Sequence, residues 1–193
     1  MTHAWELKYR AQSSSTGSPG TPSPPSPFVV EALAALATAG VAPGTALDLA
    51  MGEGRHAFAA ARAGWRVLGL DVAPTATERV KQVATRENLL VHPIVADALA
   101  LPFRAAAFDL IIVTKYLERG LAPSIAAALR PGGHLIFETF TVDQPALGWG
   151  PKNPEFLLAR GELERLFPSL RTVIHREQVS DTLGALASLL ARA

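Results

Sequence analysis

The chain has 193 residues, enough for one domain with a full hydrophobic core, and 49% of them are apolar against 18% charged. A formal net charge of +1, with arginines scattered and no basic block, excludes a global field that recruits nucleic acid or an anionic membrane. The absence of cysteine excludes disulfides, thiolate catalysis and cysteine-held metal.

The start, Met1-Thr2-His3-Ala4-Trp5-Glu6, has neither the cationic nor the apolar region of a signal peptide. The apolar stretch Leu183–Ala191 is about half of the roughly 20 residues a membrane span needs. A soluble cytoplasmic protein without a membrane partner is therefore expected. Residues 1–27 form an N-terminal segment whose Ser/Pro/Gly-rich part, residues 11–27, has little to bury and reads as a flexible linker. The regular domain is expected over residues 28–193.

The spacing predicts a helix over Phe28–Ala39, stopped by Gly40 and Pro43, then a strand over Thr45–Ala50. A helix over Gly54–Ala63, with Gly64 as its C-cap, leads to a strand over Arg66–Leu70 that ends at Asp71. Thr75–Glu87 reads as a helix and His92–Val95 as a third strand. In the second half, the continuous apolar run Phe108–Val113 fits a strand covered on both faces. The Ala-rich helix Pro123–Leu129 follows, closed by a turn at Arg130-Pro131-Gly132-Gly133, and then a strand at His134–Phe140. Beyond a loop over residues 143–155 come a helix at Arg160–Phe167 and strands at Leu170–Gln178 and Ala185–Arg192, the last of which also fits a helix. Strands alternating with helices across short connections specify a parallel, doubly wound sheet.

Three carboxylates carry the chemistry. Asp48 lies on the first strand, just before the glycine turn Gly52-x-Gly54; Asp71 closes the second strand; Asp97 follows the third. The C-terminal ends of successive strands in an open α/β sheet share one crevice, where ligands bind. Asp71 suits the two hydroxyls of a ribose, or caps the next helix. Asp97, with Ala98, Leu99 and Leu101-Pro102-Phe103 behind it, suits the amine and faces of an adenine. Gly52-x-Gly54-x-x-Ala57 also fits a relaxed dinucleotide fingerprint, which makes a nicotinamide-dependent oxidoreductase a competing reading. Asp48 weighs against it, because a pyrophosphate is repelled there and a cationic ammonium or sulfonium is attracted. S-adenosylmethionine carries adenine, ribose and a cationic amino-acid tail, and so matches the acidic lining.

In order along the chain, Asp48–Gly54, Asp71, Asp97, Phe108-Asp109-Leu110-Ile111-Ile112 and Arg130–Gly133 resemble the motifs of the class I S-adenosylmethionine-dependent methyltransferases. Gly52-x-Gly54-Arg55, Phe137-Glu138-Thr139-Phe140 and Trp5-x-x-x-Tyr9 are similar to the tellurite-resistance-type branch of small bacterial methyltransferases. The resemblance implies a three-layer α/β fold, with a mostly parallel seven-stranded sheet and an antiparallel last strand. It implies S-adenosyl-L-methionine as cofactor, held by Asp48, Ala50, Gly52, Gly54, Arg55, Asp71, Val72, Asp97 and Ala98, and no metal. The family pattern has Gly and Cys where this chain has Ala50 and Met51. Ala50 adds a methyl where backbone and cofactor approach, and Met51 is a bulkier soft side chain that fits a packing role.

Methyl transfer from a sulfonium is an in-line displacement, so the enzyme has mainly to align a small-molecule acceptor. The acceptor is expected beside the tips of the fourth and fifth strands. Tyr116 either orients it, acts as base, or packs as an amphipathic ring; Glu138, inside an apolar strand, either lines the pocket or satisfies nearby donors. Lys115 and Arg119 either pair with an anionic substrate or are solvated. His56 reads as structural. The loop over residues 143–156, with Trp149, Asn153 and Phe156, reads as a lid, and Trp5 and Tyr9 as a second flap. The alternative is a catalytically silent domain that senses S-adenosylmethionine or S-adenosylhomocysteine. Nucleic-acid partners are disfavoured by the missing basic stripe.

Overall fold

The computed structural model describes residues 23–100 and 104–193. Trp5, Tyr9, most of the linker and Leu101-Pro102-Phe103 lie outside them. The strands form a seven-stranded sheet of order β3-β2-β1-β4-β5-β7-β6. The chain divides into two compact units that meet in sequence after Pro102. Among the described residues no helix is long and apolar enough to cross a membrane.

The N-terminal unit holds α1 (Pro27–Thr38), β1 (Thr45–Leu49), α2 (Arg55–Arg62), β2 (Arg66–Asp71), α3 (Pro74–Arg86) and β3 (Val91–Val95). β1 lies parallel to β2, with Asp48 opposite Gly69, and β2 lies parallel to β3, with Asp71 opposite Val95. β1 is buried from Ala46 to Leu49, as a strand covered on both faces must be. The outer strand β3 carries Pro93, which removes a donor that a sheet edge otherwise offers to other chains. Pro27 and Pro74 open α1 and α3, where their missing N–H groups cost nothing. The linker reaches α1 already anchored. The Ser26 N–H donates to His56 Nε2 at 3.1 Å, and Arg55 Nη1 donates to the Pro24 carbonyl at 3.4 Å. His56 is buried, so its structural reading holds.

The C-terminal unit holds β4 (Phe108–Thr114), α4 (Ala122–Ala128), β5 (Leu129–Phe140), α5 (Glu162–Leu166), β6 (Arg171–Ser180) and β7 (Gly184–Arg192). β4 and β5 are parallel, and β7 runs antiparallel between β5 and β6. The last segment is a strand, as expected, buried from Gly184 to Ala191; burial on both faces erases the alternation that marks a strand and left the helical alternative open. Two details depart from the sequence reading. The turn at Arg130–Gly133 lies inside β5 as a bulge, since Phe108 pairs with Leu129 but Leu110 pairs with His134. Gly132 adopts φ +80°, and a Cβ on Gly133 would meet the Arg130 carbonyl at 2.9 Å, so both glycines serve the bulge. The helix expected over 160–167 is one short turn of five residues, because Gly161 enters at φ +64° and Phe167 leaves helical geometry.

Candidate functional site

The glycine turn of the N-terminal unit is welded to the end of β2. Met51 N–H donates to the Leu70 carbonyl at 2.9 Å, and Gly52 N–H donates to Asp71 Oδ2 at 2.8 Å. Asp71 Oδ1 accepts from Ala73 N–H at 3.0 Å. This carboxylate therefore fixes the turn and the entry to α3 together. An ionised carboxylate has about four lone-pair sites, so two are left for a ligand. Gly54 caps α2 at φ +78°, and a Cβ there would meet Val80 Cγ2 at 2.8 Å and the Phe58 ring at 3.1 Å. Conformation and space both demand glycine.

Asp48 is different. It is 1% exposed, and neither carboxylate oxygen has a hydrogen-bond partner among the described residues. Burial pushes its pKa up to about 7, and Asp71 adds to the rise; the Ala57 N–H and the Arg55 charge pull the other way. A buried, unpaired carboxylate is costly, so it marks a place where a donor is missing. An ammonium group is the donor that both discharges and pairs it.

The remaining residues of the expected cofactor set lie on the turn and after β2 and β3. Ala50 sits at φ +56°, a left-handed conformation that costs an L-residue roughly 1–2 kcal/mol. Met51 is buried, and a Cβ on Gly69 would lie 2.2 Å from its sulfur. Gly69 is thus the space into which Met51 packs. An isolated glycine inside the strand pattern Arg66–Asp71 was the sequence signal for that close approach. Val72 is half-buried and Ala98 buried. Asp97 is exposed, and its Oδ1 accepts from Leu99 N–H at 2.9 Å, so part of it serves its own turn. Sequence reasoning missed the pair Arg79–Glu53, 2.7 Å apart, which ties α3 to the turn.

In the C-terminal unit, β4 and β5 bring Thr114 opposite Glu138, and β7 brings Ser188 opposite Glu138. Glu138 is 2% exposed and its Oε2 accepts from Ser188 Oγ at 3.0 Å, which supports the donor-satisfying half of its reading. Just beyond β4, Lys115 has φ +53°, and its N–H donates to the Glu138 carbonyl at 2.8 Å. Its ammonium lies 5.1 Å from the centre of the Phe140 ring. Tyr116 is half-buried beside it in sequence.

Arg119 is engaged within the protein. It donates to Glu162 Oε1 at 2.5 Å, to the Glu155 carbonyl at 2.9 Å and to the Leu157 carbonyl at 2.9 Å. Donating to the Glu162 carboxylate raises the Arg119 pKa, and the same contact lowers that of Glu162. Gln144, fully buried, donates to the Trp149 carbonyl at 2.8 Å and accepts from Ala185 N–H at 2.7 Å. Arg160 grips Asp143 with two hydrogen bonds. The segment read as a lid is therefore fastened at several points and has the build of a shelf. Asn153 is a local cap, accepting from Glu155 N–H at 3.1 Å. Among the described residues no cluster of three or more metal-ligating side chains occurs.

The turn and acidic strand ends lie at the C-terminal ends of strands of an α/β sheet, the position at which such sheets bind ligands. A model of the methyltransferase domain matches residues 46–133. The chain is 32% identical over 174 residues to a carboxy-S-adenosyl-L-methionine synthase of Pseudomonas putida, covering 80% of this chain and 70% of that protein. It spans only 42% of the length of the uncharacterised mycobacterial relatives that it matches at 32% identity over 114 residues. A solved structure concerned with conversion of a disulfide bond into a thioacetal group during echinomycin biosynthesis has TM-score 0.70 and 26% identity, covering 100% of this chain and 91% of that one. TehB from Haemophilus influenzae has TM-score 0.67 and 20% identity, covering 84% of this chain and 61% of that one, and so shares the fold. The chain belongs to the class I S-adenosylmethionine-dependent methyltransferases, whose cofactor is S-adenosyl-L-methionine.

Proposed function

We propose that this chain transfers a methyl group from S-adenosyl-L-methionine to a small-molecule acceptor. The buried Asp48 carboxylate with two unpartnered oxygens is the observation that carries the reading, because its chemistry fits a cationic amino-acid end. In this reading Asp48 takes the ammonium, and Gly52 and Gly54 let the backbone come close. Arg55 lies at the start of α2, where its charge balances that carboxylate. Asp71 accepts the ribose hydroxyls on its remaining lone pairs. Val72 and Ala98 pack on the adenine, and Asp97 accepts from its amine. Ala50 shapes the turn between them.

Held by these residues, S-adenosylmethionine would supply an electrophilic methyl group with a neutral thioether as its leaving group. The protein's own part is alignment and, for a protic acceptor, removal of its proton. Tyr116 is the proposed group for orienting the acceptor or taking that proton. Glu138, buried and bonded to Ser188, is proposed to hold the acceptor end of β5 in place.

Ala50 favours a second reading, in which the chain binds the cofactor without turning it over. It stands in a left-handed conformation where the family pattern has glycine. Calorimetric titration with S-adenosylmethionine, S-adenosylhomocysteine and NAD tests the cofactor assignment; binding of NAD alone would sink it. Transfer of labelled methyl groups to a panel of small acceptors then separates enzyme from sensor.

A further inference from the structure

One end of the sheet in the C-terminal unit gathers basic side chains without answering them. β5, β7 and β6 run side by side; His134 lies opposite Arg192, and Arg192 lies opposite Arg171. Directly opposed residues of antiparallel strands carry their side chains on one face, so an imidazole and two guanidiniums form a row across three strands. Like charges opposed in this way destabilise a sheet. Both arginines are exposed, and among the described residues neither guanidinium has a hydrogen-bond or ion-pair partner. Asp109, next to the Leu110 that pairs with His134, is held by Arg130 at 2.5 Å.

The bulge in β5 fixes this row, and one of its members is buried. Gly132 N–H donates to the Ala193 carbonyl and Ala193 N–H to the Gly133 carbonyl, both at 2.9 Å. Arg192 Nη2 lies 3.4 Å from where a Cβ on Gly132 would stand, so the guanidinium runs along a glycine that leaves it room. His134 is 7% exposed, and its Nδ1 is buried with no hydrogen-bond partner among the described residues. Burial lowers its pKa, and the charges of Arg192 and Arg171 lower it further, which favours the neutral ring. A neutral imidazole carries one N–H donor. A buried polar atom left unpaired is costly, and so is an uncompensated row of like charge. An anion seated on the row answers both.

We propose that His134, Arg192 and Arg171 form a binding site for a tetrahedral oxyanion, either inorganic phosphate or the phosphate of a monoester. Each guanidinium presents a planar fork of N–H groups that matches phosphate oxygens, and His134 Nδ1–H adds a donor from the buried side. Donors delivered by three separate strands suit an anion whose oxygens diverge, whereas a carboxylate presents two oxygens in one plane. The two negative charges of phosphate offset the two arginines. His134 and Phe140 stand about 20 Å apart along β5, so the site occupies the opposite end of that strand from Phe140. It does not depend on the methyltransferase reading.

The test titrates the whole chain with inorganic phosphate and, at the same ionic strength, with acetate. Nuclear magnetic resonance follows the His134 ring nitrogens and the Gly132 and Gly133 amides. Phosphate shifts these signals to saturation with a Kd of about 1 mM or below, and binds about tenfold more tightly than acetate. Arg171→Gln and Arg192→Gln each weaken phosphate binding about tenfold, and His134→Phe removes the preference over acetate. Glycerol phosphate and vesicles containing phosphatidic acid identify the source. Displacement of phosphate by the first makes it a soluble ester, retention of the protein on the second makes it a lipid headgroup, and neither makes it free phosphate. Shifts that do not saturate, equal binding of phosphate and acetate, or binding that survives Arg171→Gln combined with Arg192→Gln overturns the proposal. If His134→Phe does not fold, the two arginine variants, both at exposed positions, still decide it.

Discussion

The edge of the N-terminal unit around Asp48 and the β4–β5 tips of the C-terminal unit manage buried polar groups in opposite ways. In the second, partners come from inside the protein. Glu138 has Ser188, Gln144 has the Ala185 N–H and the Trp149 carbonyl, and Arg119 has Glu162 and two carbonyls. In the first, Asp71 is partnered by the Gly52 and Ala73 amides, while Asp48, also buried, has no hydrogen bond of normal geometry and only the Ala57 amide and the Arg55 charge to offset its burial. The partners of Glu138, Gln144 and Arg119 contribute to the stability of their region. A region that leaves one carboxylate unanswered fits the proposed role of Asp48 as partner of the cofactor's ammonium.

The largest expected effect breaks this contrast at its centre. Asp48→Asn removes the charge that an ammonium would meet, and cofactor binding weakens by about 3 kcal/mol, roughly a hundredfold or more. The same change stabilises the cofactor-free protein. With the folded pKa raised to about 7 from 3.8, the folded state holds more protons than the unfolded state between those values. Stability therefore falls as pH rises from about 4 to about 7, and the full penalty, on the order of 4 kcal/mol, persists above that. Thermal melts across pH 4 to 8 check this: Asp48→Asn loses the slope and melts higher at pH 8, with the gap closing in acid. Wild-type cofactor affinity rises over the same interval, as the carboxylate ionises.

On the satisfied side, Gln144→Ala leaves the Ala185 N–H without its partner and costs about 2 kcal/mol of stability. Denaturant titration measures it, with Trp149 fluorescence reporting whether the shelf loosens. Asp71→Ala strips the glycine turn of its brace and weakens cofactor binding by roughly 1–3 kcal/mol in calorimetry. An unchanged affinity would contradict its ribose role. The smallest effect is Ala50→Gly, which relieves the left-handed strain but adds freedom to the unfolded chain, for a net gain of about 0.5 kcal/mol in melts. If that variant also turns a silent chain into an active one, the sensor reading describes the natural protein.

The two regions were unequally legible in the sequence. Asp48, Gly52, Gly54 and Asp71 sit at a backbone turn and at strand ends, features that neighbouring residues encode, so the turn itself is legible in the sequence. The contacts that build the other region join residues far apart: Gln144 with Ala185, Glu138 with Ser188, Arg119 with Glu162. Nothing local in the string 143–156 distinguishes a braced shelf from a lid. The left-handed Lys115 was equally hidden, because its conformation is imposed by β5 and not by its own propensity. The bulge at Arg130–Gly133 was seen as a break in the chain, and only pairing on both sides reveals that the strand continues through it.

The packing of Met51 into the space above Gly69 also constrains how this protein can change by mutation. While methionine occupies position 51, any side chain at 69 collides with its sulfur. Alanine at 69 is therefore accommodated at least cost once position 51 has shrunk, for example to the cysteine of the family pattern, and otherwise requires the Met51 side chain to shift. Taken in the reverse order, the same two substitutions pass through an overpacked intermediate, destabilised by about 1–3 kcal/mol. The order of the two steps, and not just their sum, decides which sequences descend from this one.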